Sequence, residues 1–446
     1  MTASGKTTLM MQLAAGVNFK GHKLVCKDPT LSKAEFISRR LEGSPALIFI
    51  DDFANDIEAF QHLLTCKNII LVGFERDYNY EMASHKIDQS KCLLLDITSL
   101  EPKDIQDVFT NIPVEIRTEH LEIPSEEEAT PSLFEIIQMN TAMPKLKDRF
   151  ASVITQLENA DTTLADILVM FSYVHSCRTP VSFDMLLAFV RNVTENYDEV
   201  YKLIQKLGTM VLDYVGTTIE IDTQQDYFVP RSTLISEAIM AQVPSKILKR
   251  VLLTFHNEVS PYRVFRYDIF KKKAYDANIM SKAFTNIEEG KDFYEKAYQA
   301  DKSPYLRQQG ALYLLKKRQY RDAFVWIDEA LIRTKYKVFS IRNSHAIILF
   351  RANIDKDVSD LTVRETIDQS MKILSECYHA DQRKLYHALT FADQAIRYHD
   401  KFGGDKAKQY LITAKEWLTE EKKRIPSSQS LKYLLSKVSK QLAIFY

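Results

Sequence analysis

The sequence predicts an α/β domain at the front of the chain and an all-helical remainder, and three observations carry that reading. Over roughly the first hundred residues, short apolar runs ending in polar or acidic residues alternate with helical patterns, the βα signature of a parallel sheet. Glycine is scarce, 11 in 446 residues, and beyond the first hundred residues apolar residues recur at helical period. In the second half, the run from Gly310 to Leu331 reads as two helices joined by a tight turn, with small residues where they would meet. A chain of this length exceeds what one core supports, so several domains are expected.

The chain opens Met1-Thr2-Ala3-Ser4-Gly5-Lys6-Thr7-Thr8, the back half of the pattern G-x-x-x-x-G-K-[ST] running into a helix. In that pattern backbone N–H groups of the loop wrap phosphates, the lysine reaches the terminal ones, and the hydroxyl completes a magnesium shell. Gly5, Lys6 and Thr7 are the residue types for those roles. Leu9, Leu13 and Val17 share one face of the following helix, whose positive N-terminal end faces the same phosphates, and Gly21 closes the segment. The first glycine of the pattern falls one position before Met1, and the strand that feeds such a loop lies further upstream. The chain is therefore expected to begin inside its own domain, with strands near Leu71 and Leu94 flanking the place of the absent one. Taken alone, Gly-Lys-Thr also suits a helix N-terminus with a solvated lysine.

Lys23 to Lys27 reads as a short strand ended by Asp28-Pro29, and Ser32 to Leu41 as a surface helix. Ala46-Leu47-Ile48-Phe49-Ile50 is a continuous apolar run of the kind a buried parallel strand shows, and it ends in Asp51-Asp52, a Walker B pattern. The first acid would hold magnesium through its water shell and the second would orient or deprotonate an attacking water; a pair of helix-capping acids is the alternative. Asn55 to Leu64 is helical. Asn68 to Arg76 is another buried strand, and its end places Arg76 where ligands sit in open parallel sheets, beyond the carboxyl ends of the strands. There Arg76 either senses a terminal phosphate or forms an ordinary ion pair with Glu75. Cys92 to Asp96 reads as one more strand, ahead of a helix opened by Ser99-Leu100-Glu101-Pro102.

Glu122 to Pro131, with Pro124 and the acidic run Glu126-Glu127-Glu128, marks a hinge. Thr162 to His175, Ser182 to Val190 and Tyr197 to Gly208 have helical period, and Thr218 to Ile221 with Asp226 to Val229 alternate as a hairpin, which together suggest a winged helix. Its last helix sets Asp198 and Glu199 against Lys202 and Lys206 and lacks the basic face that reads DNA. Val251 to Lys273 mixes Arg263, Arg266 and Lys271 to Lys273 with aromatic residues; a solvated helix pair accounts for it, with an RNA or acidic-partner surface as the alternative. In Gly310 to Leu331, Ala311, Ala323 and Ala330 allow close approach while Leu314, Tyr320 and Trp326 fill the gaps, as in a tetratricopeptide (TPR) hairpin. Asn343 to Ala352 with Val363 to Cys377, and Tyr386 to His399 with Asp405 to Leu418, read as further hairpins. The expected domains are residues 1–121, 122–160, 161–245 and 246–446.

Lys plus Arg equals Asp plus Glu at 59 each, which argues against a dedicated nucleic-acid or membrane-surface protein and for protein partners. The five cysteines are scattered and mostly set in apolar runs, as buried thiols of a reducing compartment are. No apolar run approaches the ~18 residues of a spanning helix, and no leader pattern opens the chain. A cytoplasmic location is expected.

A phosphate loop, a strand ending in Asp51-Asp52, a strand ending in Arg76, a hinge, a winged helix and a TPR-like array, in that order, resemble a STAND-class P-loop NTPase of the NACHT or NB-ARC kind. The chain is most similar to the bacterial antiviral members and, more distantly, to the nucleotide-binding and oligomerisation receptors of plants and animals. The resemblance implies a parallel-sheet P-loop NTPase domain with its first strand missing, then a winged-helix domain and an all-α TPR-like solenoid. It implies ATP/ADP and Mg2+ as cofactors. Nucleotide would be bound by Ser4, Gly5, Lys6, Thr7, Thr8, Pro131 and Arg231, and metal by Thr7 and Asp51; Asp52 and Arg76 would be catalytic. Pro131 would take the place of the family's adenine-packing proline. Many members place a histidine on the β-phosphate at the end of the winged helix, whereas this chain reads Phe228-Val229-Pro230-Arg231-Ser232, so Arg231 would substitute. The implied function is a slow ATPase switch, active once its missing N-terminal strand and loop glycine are restored. It would sense a protein trigger through its repeats and homo-oligomerise when activated, in bacterial antiphage defence, under an N-terminal effector domain that this sequence lacks. Nucleic acid and membrane are not expected partners. The alternatives are a scaffold with a degenerate nucleotide domain and a winged-helix transcription regulator.

Overall fold

In a computed structural model of the chain, the described residues are 6–26, 29–75, 79–80, 83–95, 97, 100–114, 117–122, 136–137, 139–140, 146–214, 226–231, 233–356, 361–425 and 428–445. They divide into two compact units, Met1–Ala274 and Tyr275–Tyr446.

The first unit begins with helix α1 (Lys6–Gly16), strand β1 (His22–Cys26), helix α2 (Leu31–Arg40), strand β2 (Ala46–Asp51), helix α3 (Ile57–Leu64) and strand β3 (Ile69–Phe74). The strands form a parallel sheet in the order β1-β2-β3, with Ile48 opposite Leu24 and Leu71. The central strand is buried on both faces, as its unbroken apolar run requires. Ala46, Ile48 and Ile50 pack with Ala34 of α2 and Ala59, Phe60 and Leu63 of α3, while Leu47 and Phe49 pack with Met10 of α1. The period of two along β2 thus sends alternate side chains to the two helical layers. The face that α1 turns to the sheet is carried by Met10, Leu9, Ala14 and Val17. Leu13, expected on that face, is 37% exposed, while Met10 is fully buried with Leu47, Phe49 and Phe74.

Caps fix the helix starts. Thr30 accepts from the Lys33 N–H and Asp56 from the Ala59 N–H, each satisfying a first-turn donor. Gly73 of β3 lies where any Cβ would meet Phe53 Cδ1 at 2.8 Å and Phe60 Cε2 at 3.0 Å, so the strand needs glycine for this close approach.

The strand expected at Cys92 to Asp96 does not form: residues 92–95 are irregular, with Leu93 85% and Leu95 72% exposed. A strand needs a neighbour to take its backbone hydrogen bonds, and among the described residues nothing pairs with β3 on the side away from β2. Helix α4 (Pro102–Asn111) follows, opened by a capping box between Glu101 and Asp104. Most of the expected hinge, residues 123–131, lies outside the described residues.

Then come α5 (Leu146–Ala160), α6 (Thr162–Ser176), β4 (Val181–Ser182), α7 (Phe183–Phe189), α8 (Tyr197–Leu207), β5 (Val211–Asp213) and β6 (Tyr227–Pro230). The strands form a small antiparallel sheet in the order β4-β6-β5. Neither β4 nor β5 is among the expected strands; Thr218 to Ile221, expected to form the hairpin with β6, lies outside the described residues. Helix α6 is the centre of this part, buried from Ile167 to Val174, and it packs with α9 (Thr233–Gln242), α10 (Ser245–Glu258) and α11 (Tyr267–Ala274).

The second unit is a row of helices: α12 (Ala277–Ala283), α13 (Ile287–Asp301), α14 (Pro304–Lys316), α15 (Tyr320–Arg333), α16 (Phe339–Asn353), α17 (Leu361–Ala380), α18 (Lys384–Phe402), α19 (Gly404–Arg424) and α20 (Gln429–Leu442). From α13 onward each helix packs on the next, and α14, α16, α18 and α20 also pack on one another in succession, the contact pattern of stacked hairpins. The expected hairpins correspond to α14 with α15, α16 with α17, and α18 with α19. Their meeting points are tight, since a Cβ on Gly310 would lie 2.4 Å from Trp326 Cζ3. Among the described residues no helix is long and apolar enough to cross a membrane.

Candidate functional site

β2 emerges from the sheet at Asp51, and the backbone turns at once through Asp52, which adopts the left-handed conformation at φ 50° and ψ 47°. Aspartate tolerates that region better than most residues with a Cβ. A short 3-10 turn, Phe53–Asn55, follows, closed by the Asn55 N–H donating to Asp52 O at 3.0 Å. The turn leaves the two neighbouring carboxylates at the strand end, beside the first residues of α1.

Lys6 and Thr7 meet them there. The Lys6 ammonium donates to Asp51 Oδ1 and, at 2.7 Å, to Asp52 Oδ1. Thr7 Oγ1 donates to the other oxygen of Asp51 at 2.7 Å, and the Asp52 N–H donates to Asp51 Oδ1 at 3.1 Å. Asp51 is therefore engaged on both oxygens. Asp52, whose side chain is 41% exposed against 14% for Asp51, opens the cluster to solvent. Burial works to lower the Lys6 pKa, but the Asp52 charge and the hydrogen bonds to both acids outweigh it and hold the ammonium above its ordinary range.

Of the residues predicted from sequence, the fold thus brings together Lys6, Thr7, Asp51 and Asp52. Thr8 lies exposed on the first turn of α1. Arg231 follows β6 and is exposed; its N–H donates to Met210 O at 2.8 Å, and among the described residues no hydrogen bond or ion pair joins it to the cluster. Ser4, Gly5, Arg76 and Pro131 lie outside the described residues. Two further side chains border the same turn, Asn79, to which the sequence gave no role, and Glu75, which it offered only as an ion-pair partner of Arg76: Glu75 accepts the Ala54 N–H at 2.8 Å and an amide hydrogen of Asn79 at 2.8 Å. Their only signal in the sequence is position, Glu75 being the first residue past β3.

The donor set suits a hydrated divalent cation. Thr7 Oγ1 and Asp51 Oδ2 are hard oxygen donors 2.7 Å apart, the chemistry magnesium prefers. Among the described residues no group of three or more His, Cys, Asp or Glu side chains gathers to hold a metal alone, so an ion here would take the rest of its shell from water and phosphate oxygens.

No protein-family model matches this chain, and no curated protein matches it. A solved structure to which it is similar is the crystal structure of a signal transduction ATPase with numerous domains (STAND) protein with a tetratricopeptide repeat sensor, from Pyrococcus horikoshii. The match has 13% identity and a TM-score of 0.30, and it covers 100% of this chain and 76% of that one. A likeness of that size leaves the family unassigned.

Proposed function

We propose that the chain is an ATP-binding switch of the STAND kind, in which nucleotide occupies the head of α1 and the helical array senses a protein partner. The observation that carries this reading is the Lys6 ammonium held between Asp51 and Asp52 at a strand end, with the Thr7 hydroxyl on Asp51. In open parallel sheets ligands bind at that edge, and a helix N-terminus favours phosphate there. An incoming phosphate would draw Lys6 off the carboxylates, leaving Asp51 and Thr7 as oxygen donors to magnesium and Asp52 free to orient water. Magnesium, when bound, would neutralise charge on the phosphates.

In this reading the small sheet β4-β6-β5 with α6, α7 and α8 is the winged helix, Arg231 is a candidate phosphate contact in the closed state, and hydrolysis is slow. The array from α13 to α20 offers a long surface for a protein trigger, and activation leads to homo-oligomers that drive an N-terminal effector in antiphage defence. Carrying a population from mostly closed to mostly open takes a differential affinity of about 10⁴-fold.

Calorimetric titration of the chain with Mg-ATP and Mg-ADP tests the site. Binding is expected, and Lys6→Ala is expected to weaken it by about a hundredfold, roughly the 3 kcal/mol of a lost charge-assisted contact. No binding to the wild-type chain would overturn the switch and leave a scaffold with a degenerate site.

A further inference from the structure

One polar chain leads away from the acid pair. The Ala54 N–H, two residues past Asp52, donates to Glu75 Oε2 at 2.8 Å. Glu75 Oε1 accepts from Asn79 Nδ2 at 2.8 Å. The Arg178 guanidinium donates to Asn79 Oδ1. Arg178 stands between α6 and β4 in the left-handed region at φ 63°, with its N–H donating to His175 O at 2.9 Å. Ala54, Glu75, Asn79 and Arg178 are all half-buried, so water competes only in part for these bonds.

The direction of each bond is dictated by chemistry. An ionised Glu75 can only accept, and Arg178 can only donate. Between them stands an amide, which offers donors on one side and an acceptor on the other. Asn79 must therefore turn Nδ2 to Glu75 and Oδ1 to Arg178.

We propose that Glu75 and Asn79 are positioning residues for the Asp51-Asp52 turn, and that Arg178 is the point through which the helical part of the first unit acts on it. With Arg178 in place, Asn79 is oriented, Glu75 is held on the Ala54 N–H, and the turn that sets Asp52 against Lys6 is pinned. Withdrawal of Arg178 releases Asn79, then Glu75, then the turn. The consequence for nucleotide rests on the phosphate-site reading above; the relay itself does not.

The test uses the full chain with Glu75→Gln, Asn79→Asp, both together, Arg178→Ala and Arg178→Lys. Each polarity swap alone sets two donors or two acceptors against each other. The double swap restores the order at unchanged net charge: the amide introduced at position 75 would accept from the Ala54 N–H and donate to the carboxylate introduced at position 79, which would accept from Arg178. Amide hydrogen exchange at Ala54 is read without nucleotide, and Mg-ATP affinity by calorimetry. Each single swap and Arg178→Ala is expected to speed Ala54 exchange about fivefold, as loss of one hydrogen bond does. The double swap and Arg178→Lys are expected to restore it to within about twofold. The same variants should shift Mg-ATP affinity at least about fivefold, the low end of typical coupling between sites. Ala54 exchange that ignores Arg178→Ala, or a folded double swap that restores nothing, overturns the relay. If the exchange pattern holds but the wild-type chain binds no nucleotide, the relay stands and the phosphate site falls. If Mg-ATP binds in a Lys6-dependent way while Arg178→Ala changes neither readout, the site stands and the relay falls.

Discussion

Lys6 and Arg307 are buried to nearly the same extent, with 11% and 8% of their side chains exposed, yet their partners are arranged in opposite ways. Both partners of Lys6 are carboxylates on one turn at a strand end, and one of them, Asp52, opens to solvent. Arg307 of α14 lies 3.9 Å from the ring of Tyr298 on α13 and 4.8 Å from that of Trp326 on α15, and pairs with Glu295 at 2.6 Å. In the proposed reading, an anion arriving at the open side would take Lys6 from its partners without moving a helix. Nothing can take Arg307 without parting three. A buried charge therefore marks a candidate site only when its partners lie together on an approachable turn; when they converge from several packed elements, the charge is a tie between them.

Three substitutions break or sharpen that contrast. The largest effect is expected from Trp326→Ala, which removes the ring that closes over Gly310 and Arg307 together. It should cost about 3–5 kcal/mol in urea unfolding of the array, and a loss below about 1 kcal/mol would mean that the tie is not there. Gly73→Ala is expected to come next. Its Cβ would press on Phe53, which stacks on Phe60 at a centroid distance of 4.4 Å, and overpacking of this kind costs about 1–3 kcal/mol. Because Phe53 follows Asp52, the same variant should also loosen the turn, seen as faster exchange at Ala54; thermal unfolding unchanged from wild type would show that the rings yield freely. The smallest effect is expected from Arg307→Lys, about 1 kcal/mol in urea unfolding. It keeps the charge and gives up the planar group that stacks on two rings. If stability is unaffected, charge alone serves at that position and the contrast with Lys6 weakens.

Much of the architecture was legible because its signals are local. The apolar run ending in Asp51-Asp52 reads as a buried strand from five consecutive side chains, and the spacing of Ala311, Ala323 and Trp326 reads as a helix pair, since helical and strand periods are set within a few residues. The Lys6 motif and the acid pair were legible too, although 45 positions separate Lys6 from Asp51: each is a short pattern, and a βα order carries both to one sheet edge. Cys92 to Leu95 shows the limit of the same logic. Its apolar run is as strand-like as β1, but strandedness belongs to a pair, and no described partner lies beside it.

What the sequence by itself determined is therefore most of the longer elements, β2 and the paired helices above all, and the residue types gathered at the end of β2, because periodicity and motif spacing act over short range; the two- and three-residue strands β4 and β5 left no such signal. Tertiary packing alone decided that Met10 rather than Leu13 meets the sheet, that Asp52 turns left-handed to face Lys6, and that Arg178 meets Asn79 across 99 positions. A helix with apolar residues around its circumference presents several usable faces, and a hydrogen bond between distant side chains leaves no pattern along the chain. Such choices are made only when the elements are in place and each buried polar group must find the partner that the fold has brought to it.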